Sequence, residues 1–113
     1  MRLPEAAACV SGNSVRLHGV LNARENLRHT PAGLPVIDFT VAHASQQSEA
    51  GQQRQVSFEM AAKAAGELAK RIAALPAGST LGLEGFLNRR HRMSNQIILH
   101  VTHIETTTQT NRD

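Results

Sequence analysis

Arg89-Arg90-His91-Arg92 sets three guanidinium groups and an imidazole in four consecutive positions, with no carboxylate among them. Guanidinium groups crowded in this way repel one another, so the cluster is favoured when an anion sits against it. Phosphate fits best, because the planar fork grips its oxygens with paired hydrogen bonds. Arg24, Arg28 and His29 form a second basic group, and Arg16 and Arg54 add single charges elsewhere. A charge run is also how a plain solvated loop is written, so the tip alone leaves both readings open.

Other chemistry is poorly provided for. No nucleophile has a recognisable base beside it, no paired carboxylates form a motif, and no glycine loop carries a phosphate-cradling lysine. Gly82-Leu-Glu-Gly85 is a strand with small residues rather than a dinucleotide fingerprint. Cys9 is the only cysteine, which excludes an intrachain disulfide or a cysteine zinc cluster and fits a reducing compartment. His100 and His103, three apart on an expected strand, should lie on opposite faces and could not chelate one metal. With His18 and His43 they are expected to pack or to line an interface. The expectation is a protein that is not an enzyme, with no cofactor and no metal.

The elements that must hold the arginines can be read from hydrophobic period. Val15, Leu17, Gly19 and Leu21 alternate with polar residues as in a half-buried first strand, and Gly19 suggests a bend or bulge. Thr30-Pro-Ala-Gly-Leu-Pro35 is a turn signal. A second strand spans Val36 to Ala44. Ser45 to Gln53, polar and glutamine-rich, is expected to be an exposed mobile loop. The third strand, Arg54 to Met60, should turn Phe58 towards the core. Ala61, Ala64, Leu68, Ile72 and Leu75 then recur at helical spacing opposite Lys63, Glu67, Lys70 and Arg71, with Glu67 and Arg71 in the favourable i, i+4 order. Pro76 and Gly78 end this helix. Leu81 to Leu87 and Ile97 to Val101 supply strands four and five, joined by the basic tip.

Strand-strand-strand-helix-strand-strand is the layout of the OB-fold, an all-β barrel of five strands with one short helix between strands three and four. Such barrels bind oligonucleotides through the loops joining strands one and two and strands four and five. Here those loops are Asn22 to Pro35 and Asn88 to Gln96, and both are basic. The coincidence favours a nucleic-acid contact over a solvated loop. The candidate nucleic-acid-binding residues are Arg89, Arg90, His91, Arg92, Arg24, Arg28, Arg16 and Arg54. Phe86, out of register with Leu83 and Leu87, should face outward, into a dimer interface, into packing, or against a nucleotide.

At 113 residues the chain has room for one domain: a leader over 1–12, a barrel over 13–105 and a disordered tail over 106–113. Its net charge of +3 permits a polyanionic partner without demanding one. Aromatic residues make up only 3%, namely Phe39, Phe58 and Phe86, so stacking surfaces are scarce. No apolar run approaches the ~20 residues needed to span a bilayer, and Ala6 to Val10 is too short for a secretory signal. A cytoplasmic protein with no membrane partner is expected.

Several segments taken together resemble the primosomal replication protein N family, PriB, a relative of bacterial single-stranded-DNA-binding proteins. They are Asn13 to Val20, Thr30 to Pro35, Phe39-Thr-Val-Ala-His43, Gly78-Ser79, Glu84-Gly-Phe86, Ile98-Leu-His100 and Ile104-Glu105. The resemblance covers Asn13 to Glu105. It implies a homodimeric OB-fold that binds single-stranded DNA without base specificity. It further implies that the protein acts in the replication restart primosome, stabilising the PriA helicase on DNA and helping to reload the replicative helicase at stalled forks. DnaT and single-stranded-DNA-binding protein are the other implied partners. The family's basic loop falls on Arg89, Arg90, His91 and Arg92. Positions that can be aromatic in the family fall on Gln52 and Ser57, which implies weaker, more salt-dependent binding. An OB-fold adaptor working mainly through protein contacts, and an RNA-binding OB domain, remain as rivals.

Overall fold

The computed structural model describes residues 10–106. Its elements are β1 (Val15–Arg24), β2 (Arg28–His29), β3 (Pro35–Glu49), β4 (Gln52–Ala65), α1 (Glu67–Ala74), β5 (Thr80–Arg89) and β6 (Ile97–Thr106). The strands form one sheet in the order β1-β5-β6-β4-β3-β2, and a further β1–β3 pairing closes it into a five-stranded barrel with β2 as an annex. This is the expected OB-fold. All pairings are antiparallel except β4–β6, where Ala62 and Lys63 align with Leu99 and His100. Residues 1–9 of the expected leader and 107–113 of the expected tail lie outside the described residues.

The barrel core follows from alternation. Leu21, Ile37, Phe39, Val41, Ala62, Ala64, Leu81, Leu83, Leu99, Val101 and Ile104 point inward, and Ala69 and Ile72 of α1 plug one end. Removing such side chains from water is the main drive for closure. Gly19 marks a close approach rather than the expected bend, for a Cβ there would sit 2.4 Å from Val41 Cγ1 and 2.5 Å from the Ala42 carbonyl oxygen. The irregularity in β1 comes later, between Leu21 and Ala23.

The helix is shorter than its period suggested. Ala61 to Ala65 continue β4, because two-residue alternation runs on through Ala62 and Ala64, and alanine fits either period. Gly66, at φ 72°, makes the break and α1 starts at Glu67. Glu67 pairs with Lys70 at 3.3 Å, not with Arg71, whose guanidinium donates to the Ile104 carbonyl at 3.4 Å. Glu67 in the first turn and Arg71 in the last still suit the helix dipole.

Ser45 to Gln53 is no loose loop. β3 and β4 pair without interruption from Val36–Ala65 out to Glu49–Gln52, and Ala50 (φ 53°) and Gly51 (φ 77°) form a two-residue hairpin turn. Both positive φ values match the right-handed twist of the strands. The ribbon outruns the barrel, so its glutamines stay wet on both faces, and this polarity had disguised it as a loop. The same overreach corrects Phe58. It is 42% exposed and tilts against the His43 ring at 5.0 Å instead of entering the core, which Met60 is the last β4 side chain before Ala62 to reach.

Among the described residues no helix is long and apolar enough to cross a membrane.

Candidate nucleic-acid interface

The segment joining β1 to β3 is drawn back over the barrel by β2, whose Arg28 and His29 pair with Val36 and Pro35. A tight turn closes it: Thr30 donates to the Leu34 carbonyl at 2.9 Å and Gly33, at φ 89°, donates to Thr30 at 2.8 Å. The β5–β6 tip is also internally tied. Arg90 N donates to the Gln96 carbonyl at 2.9 Å, its Nε to Gln96 Oε1 at 2.8 Å, and Ser94 N to the His91 carbonyl at 3.0 Å. Both basic loops are therefore built structures rather than slack chain.

They meet at Asp38. This residue projects from β3 on the outside of the barrel, and its side chain is only 10% exposed. Oδ2 receives Arg28 Nη1 at 2.5 Å, while Oδ1 stands 3.5 Å from Arg90 Nη1 and has no hydrogen-bond partner among the described residues. A cavity of about 150 Å³ at this junction is lined by Arg24, Glu25, Asp38 and Arg90 among others. A second, of about 230 Å³, is lined by Asn88, Arg89, Arg90, His91, Arg92 and His100. Arg90 belongs to both, so the two loops share one end of the barrel.

The eight candidate residues divide accordingly. Arg24, Arg28, Arg89, Arg90, His91 and Arg92 gather at this end. Arg24 also donates to the Leu75 carbonyl at 2.5 Å, and Arg89 Nη1 to the Arg92 carbonyl at 2.9 Å. Arg16 and Arg54 make no polar contact with the loops among the described residues. Arg16 pairs with Glu84 at 3.0 Å, directly across the β1–β5 ladder, and Arg54 with Glu49 at 3.3 Å across the ribbon. Exposed pairs of this kind contribute little to stability and leave both guanidiniums reachable by solvent.

Three features escaped the sequence. Asp38 is one polar residue in an alternating strand, with nothing local to mark the two arginines above it. Helical spacing places Lys63 on a helix, whereas it stands in β4, opposite Asp38 in the β3–β4 ladder and beside His100 in the β4–β6 ladder. Alternation extended past Met60 would have found it. Phe86 pairs with His100 across β5–β6, and their rings stack at 5.3 Å with planes 4° apart. Asp38, Lys63, His100 and Phe86 thus form one row across four strands.

The histidines also correct an expectation. An extra residue in β6 at Thr102, where Glu84 pairs with His103 but Gly85 pairs with Val101, reverses the alternation. His100 and His103 consequently share the outer face. Among the described residues, no group of three His, Cys, Asp or Glu side chains could hold a metal ion.

Comparison with known proteins agrees with this architecture. Residues 13–103 match the model of a family described as another single-strand binding protein family. The replication restart protein PriB of Nitrosomonas europaea is 38% identical over 98 residues, covering 87% of this chain and 91% of that protein. PriB of Neisseria gonorrhoeae is 34% identical over 93 residues, covering 82% and 92%. A solved structure of PriB from Ralstonia solanacearum superposes with a TM-score of 0.80 at 32% identity, over 87% of this chain and all of that one. The single-stranded DNA binding protein of Thermus aquaticus gives 0.70 at 27% identity, over 86% of this chain and 50% of that one. A five-stranded barrel with its helix between β4 and β5, matched along nearly its whole length by these proteins, belongs to the PriB family of replication restart proteins, within the wider single-strand binding proteins.

Proposed function

We propose that this protein binds single-stranded DNA through the end of the barrel where its two basic loops meet, holding the sugar-phosphate chain with little regard to base. The observation that carries this reading is the convergence of Arg24, Arg28, Arg89, Arg90, His91 and Arg92, from separate segments, around Asp38. Arg89, His91 and Arg92 have no carboxylate partner among the described residues and are the groups best placed to meet phosphate. Arg16 and Arg54 would extend the path by exchanging a carboxylate for a phosphate.

Family membership supports the place of this activity: a non-enzymatic accessory protein of replication restart in the cytoplasm. In that role it stabilises the PriA helicase on DNA and helps to reload the replicative helicase at stalled forks, with DnaT and single-stranded-DNA-binding protein as further partners. A homodimer is supported by the edge of β1. Among the described residues, Val15 to Gly19 pair with β5 on one side and with no strand on the other, where the His18 carbonyl accepts from His43 Nδ1 at 2.6 Å. Beside them a cavity of about 680 Å³ is lined by His18, Val20, His43 and Phe58, with Val20 40% and Phe58 42% exposed. An unpaired edge next to exposed apolar residues is a ready site for a second copy.

The adaptor reading draws on one observation: Arg16, Arg28, Arg54 and Arg90 already face carboxylates. Fluorescence anisotropy with labelled oligo-dT across a salt series separates the two. Salt-sensitive binding at micromolar concentration or tighter supports the DNA reading; no binding at low salt favours the adaptor. Preference for oligo-U would point to RNA, because only a 2′-hydroxyl contact distinguishes the sugars.

A further inference from the structure

We infer that Phe86 and His100 form a preorganised stacking platform for a single nucleobase of the bound strand, an inference that rests on the interface proposed above. Phe86 is one of only three aromatic residues outside the histidines, yet it stands 38% exposed on the outer face of β5. The barrel interior does not need it: Leu83, Leu99 and Val101 close the core on the opposite face of the same strands. What Phe86 has instead is an oriented partner. The His100 ring lies parallel to it at 5.3 Å, an offset stack within the preferred range for ring pairs. His100 is itself fixed, because its Nε2 donates to the Arg89 carbonyl at 3.1 Å. Two rings locked in one plane direction cost a third ring little ordering entropy when it joins them.

The surroundings suit a nucleotide. His100, though not Phe86, is a wall of the 230 Å³ cavity beneath the basic tip, so the exposed Phe86 ring stands beside that cavity on the far side of His100. Every other side chain lining the cavity is a guanidinium, an imidazole or the amide of Asn88. Lys63 lies across the sheet from Phe86, with His100 between them. Phosphates held by Arg89 and Arg92 would leave the intervening base facing the rings. Gln52 and Ser57, the non-aromatic positions on the β3–β4 ribbon, are exposed and supply no such surface.

The test compares oligo-dT with an abasic strand of equal length, for the wild type, Phe86→Leu and Phe86→Tyr, by anisotropy over a salt series. Stacking on an aromatic side chain is worth enough that Phe86→Leu should weaken oligo-dT binding by about 5- to 100-fold. Its affinity for the abasic strand and its salt slope should match the wild type, and Phe86→Tyr should restore oligo-dT binding. Equal weakening on both strands, or none on either while the wild type binds, overturns the platform and leaves the interface standing. A wild type that binds neither strand removes the interface and the platform with it. As a check free of any folding defect, thymine methyl protons titrated with wild-type protein should shift upfield under the ring current of Phe86. Unshifted methyls in a formed complex overturn the proposal.

Discussion

Arg28 of β2 and Arg90 of the β5–β6 tip meet across the carboxylate of Asp38, which receives Arg28 Nη1 at 2.5 Å and stands 3.5 Å from Arg90 Nη1. The carboxylate is buried to nine-tenths, so its charge is weakly screened and holds both loops in one arrangement. In the interface proposed above, it competes with a phosphate oxygen for the same two guanidiniums. Asp38 thus clasps the two loops together and, in the proposed interface, competes with phosphate.

Asp38→Asn keeps the shape and removes the charge. Two guanidiniums are then released to the strand, and oligo-dT should bind more tightly with a steeper salt dependence. The slope of log affinity against log salt should grow by up to about 1.4, since a single strand contributes about 0.7 per phosphate neutralised. The domain should lose about 1–3 kcal/mol of stability in urea denaturation, because charged donors lose their acceptor. Unchanged or weaker DNA binding in a folded variant would contradict the competition.

The tip arginines should separate by role. Arg89→Ala with Arg92→Ala removes two guanidiniums that face no carboxylate among the described residues. Weaker binding with a slope flattened by up to about 1.4, and an unaltered melting temperature, is the expected result. Arg90→Ala should instead lower the melting temperature, because Arg90 faces Asp38 and holds Gln96. If Arg90→Ala melts like the wild type while Arg89 and Arg92 prove necessary for folding, the division of labour is reversed.

Strand order, helix position and both basic loops were legible because each rests on local pattern: alternation in Val15 to Leu21 or Ile37 to Val41, turn residues at Thr30 to Pro35, charge at Arg89 to Arg92. What stayed hidden depends on register between distant segments. The row Asp38, Lys63, His100 and Phe86 is set by pairings among four strands, one of them parallel, and no local period encodes it. The bulge at Thr102 reversed the expected facing of His103 through one uncounted residue. Alanine-rich Ala61 to Ala65 satisfies helix and strand spacing alike, and only pairing with Val36 to Thr40 decides for the strand.

Phe58→Glu tests the proposed second copy. The side chain lies in a cavity with His18, Val20 and His43 beside the unpaired edge of β1 and makes no contribution to the barrel core. A charge there should leave the melting transition of the isolated subunit nearly intact. Sedimentation equilibrium should show a shift from dimer towards monomer by at least about tenfold in dissociation constant, as expected for charging an apolar contact. A dimer of undiminished strength would move the interface to another face.

Gly85→Ala probes the point where the barrel wall and the stacked rings are joined. Gly85 lies opposite Val101 at the β6 bulge, one residue before Phe86. A Cβ there would fall 1.9 Å from the His100 carbonyl oxygen, 2.8 Å from its carbon and 3.0 Å from Val101 Cα. All three are backbone atoms that no rotamer change can move, so β5 and β6 must separate for the methyl to enter. Overpacking of a core typically costs 1–3 kcal/mol, and a clash with a ladder backbone belongs at or above the upper end, about 3 kcal/mol. Thermal and urea denaturation of Gly85→Ala should register that loss. Gly82→Ala supplies the contrast on the same strand, because its nearest neighbour is the His18 side chain at 3.0 Å, which can rotate away. Equal stability of the two variants would mean that β5 and β6 are less closely applied at the bulge than the geometry requires.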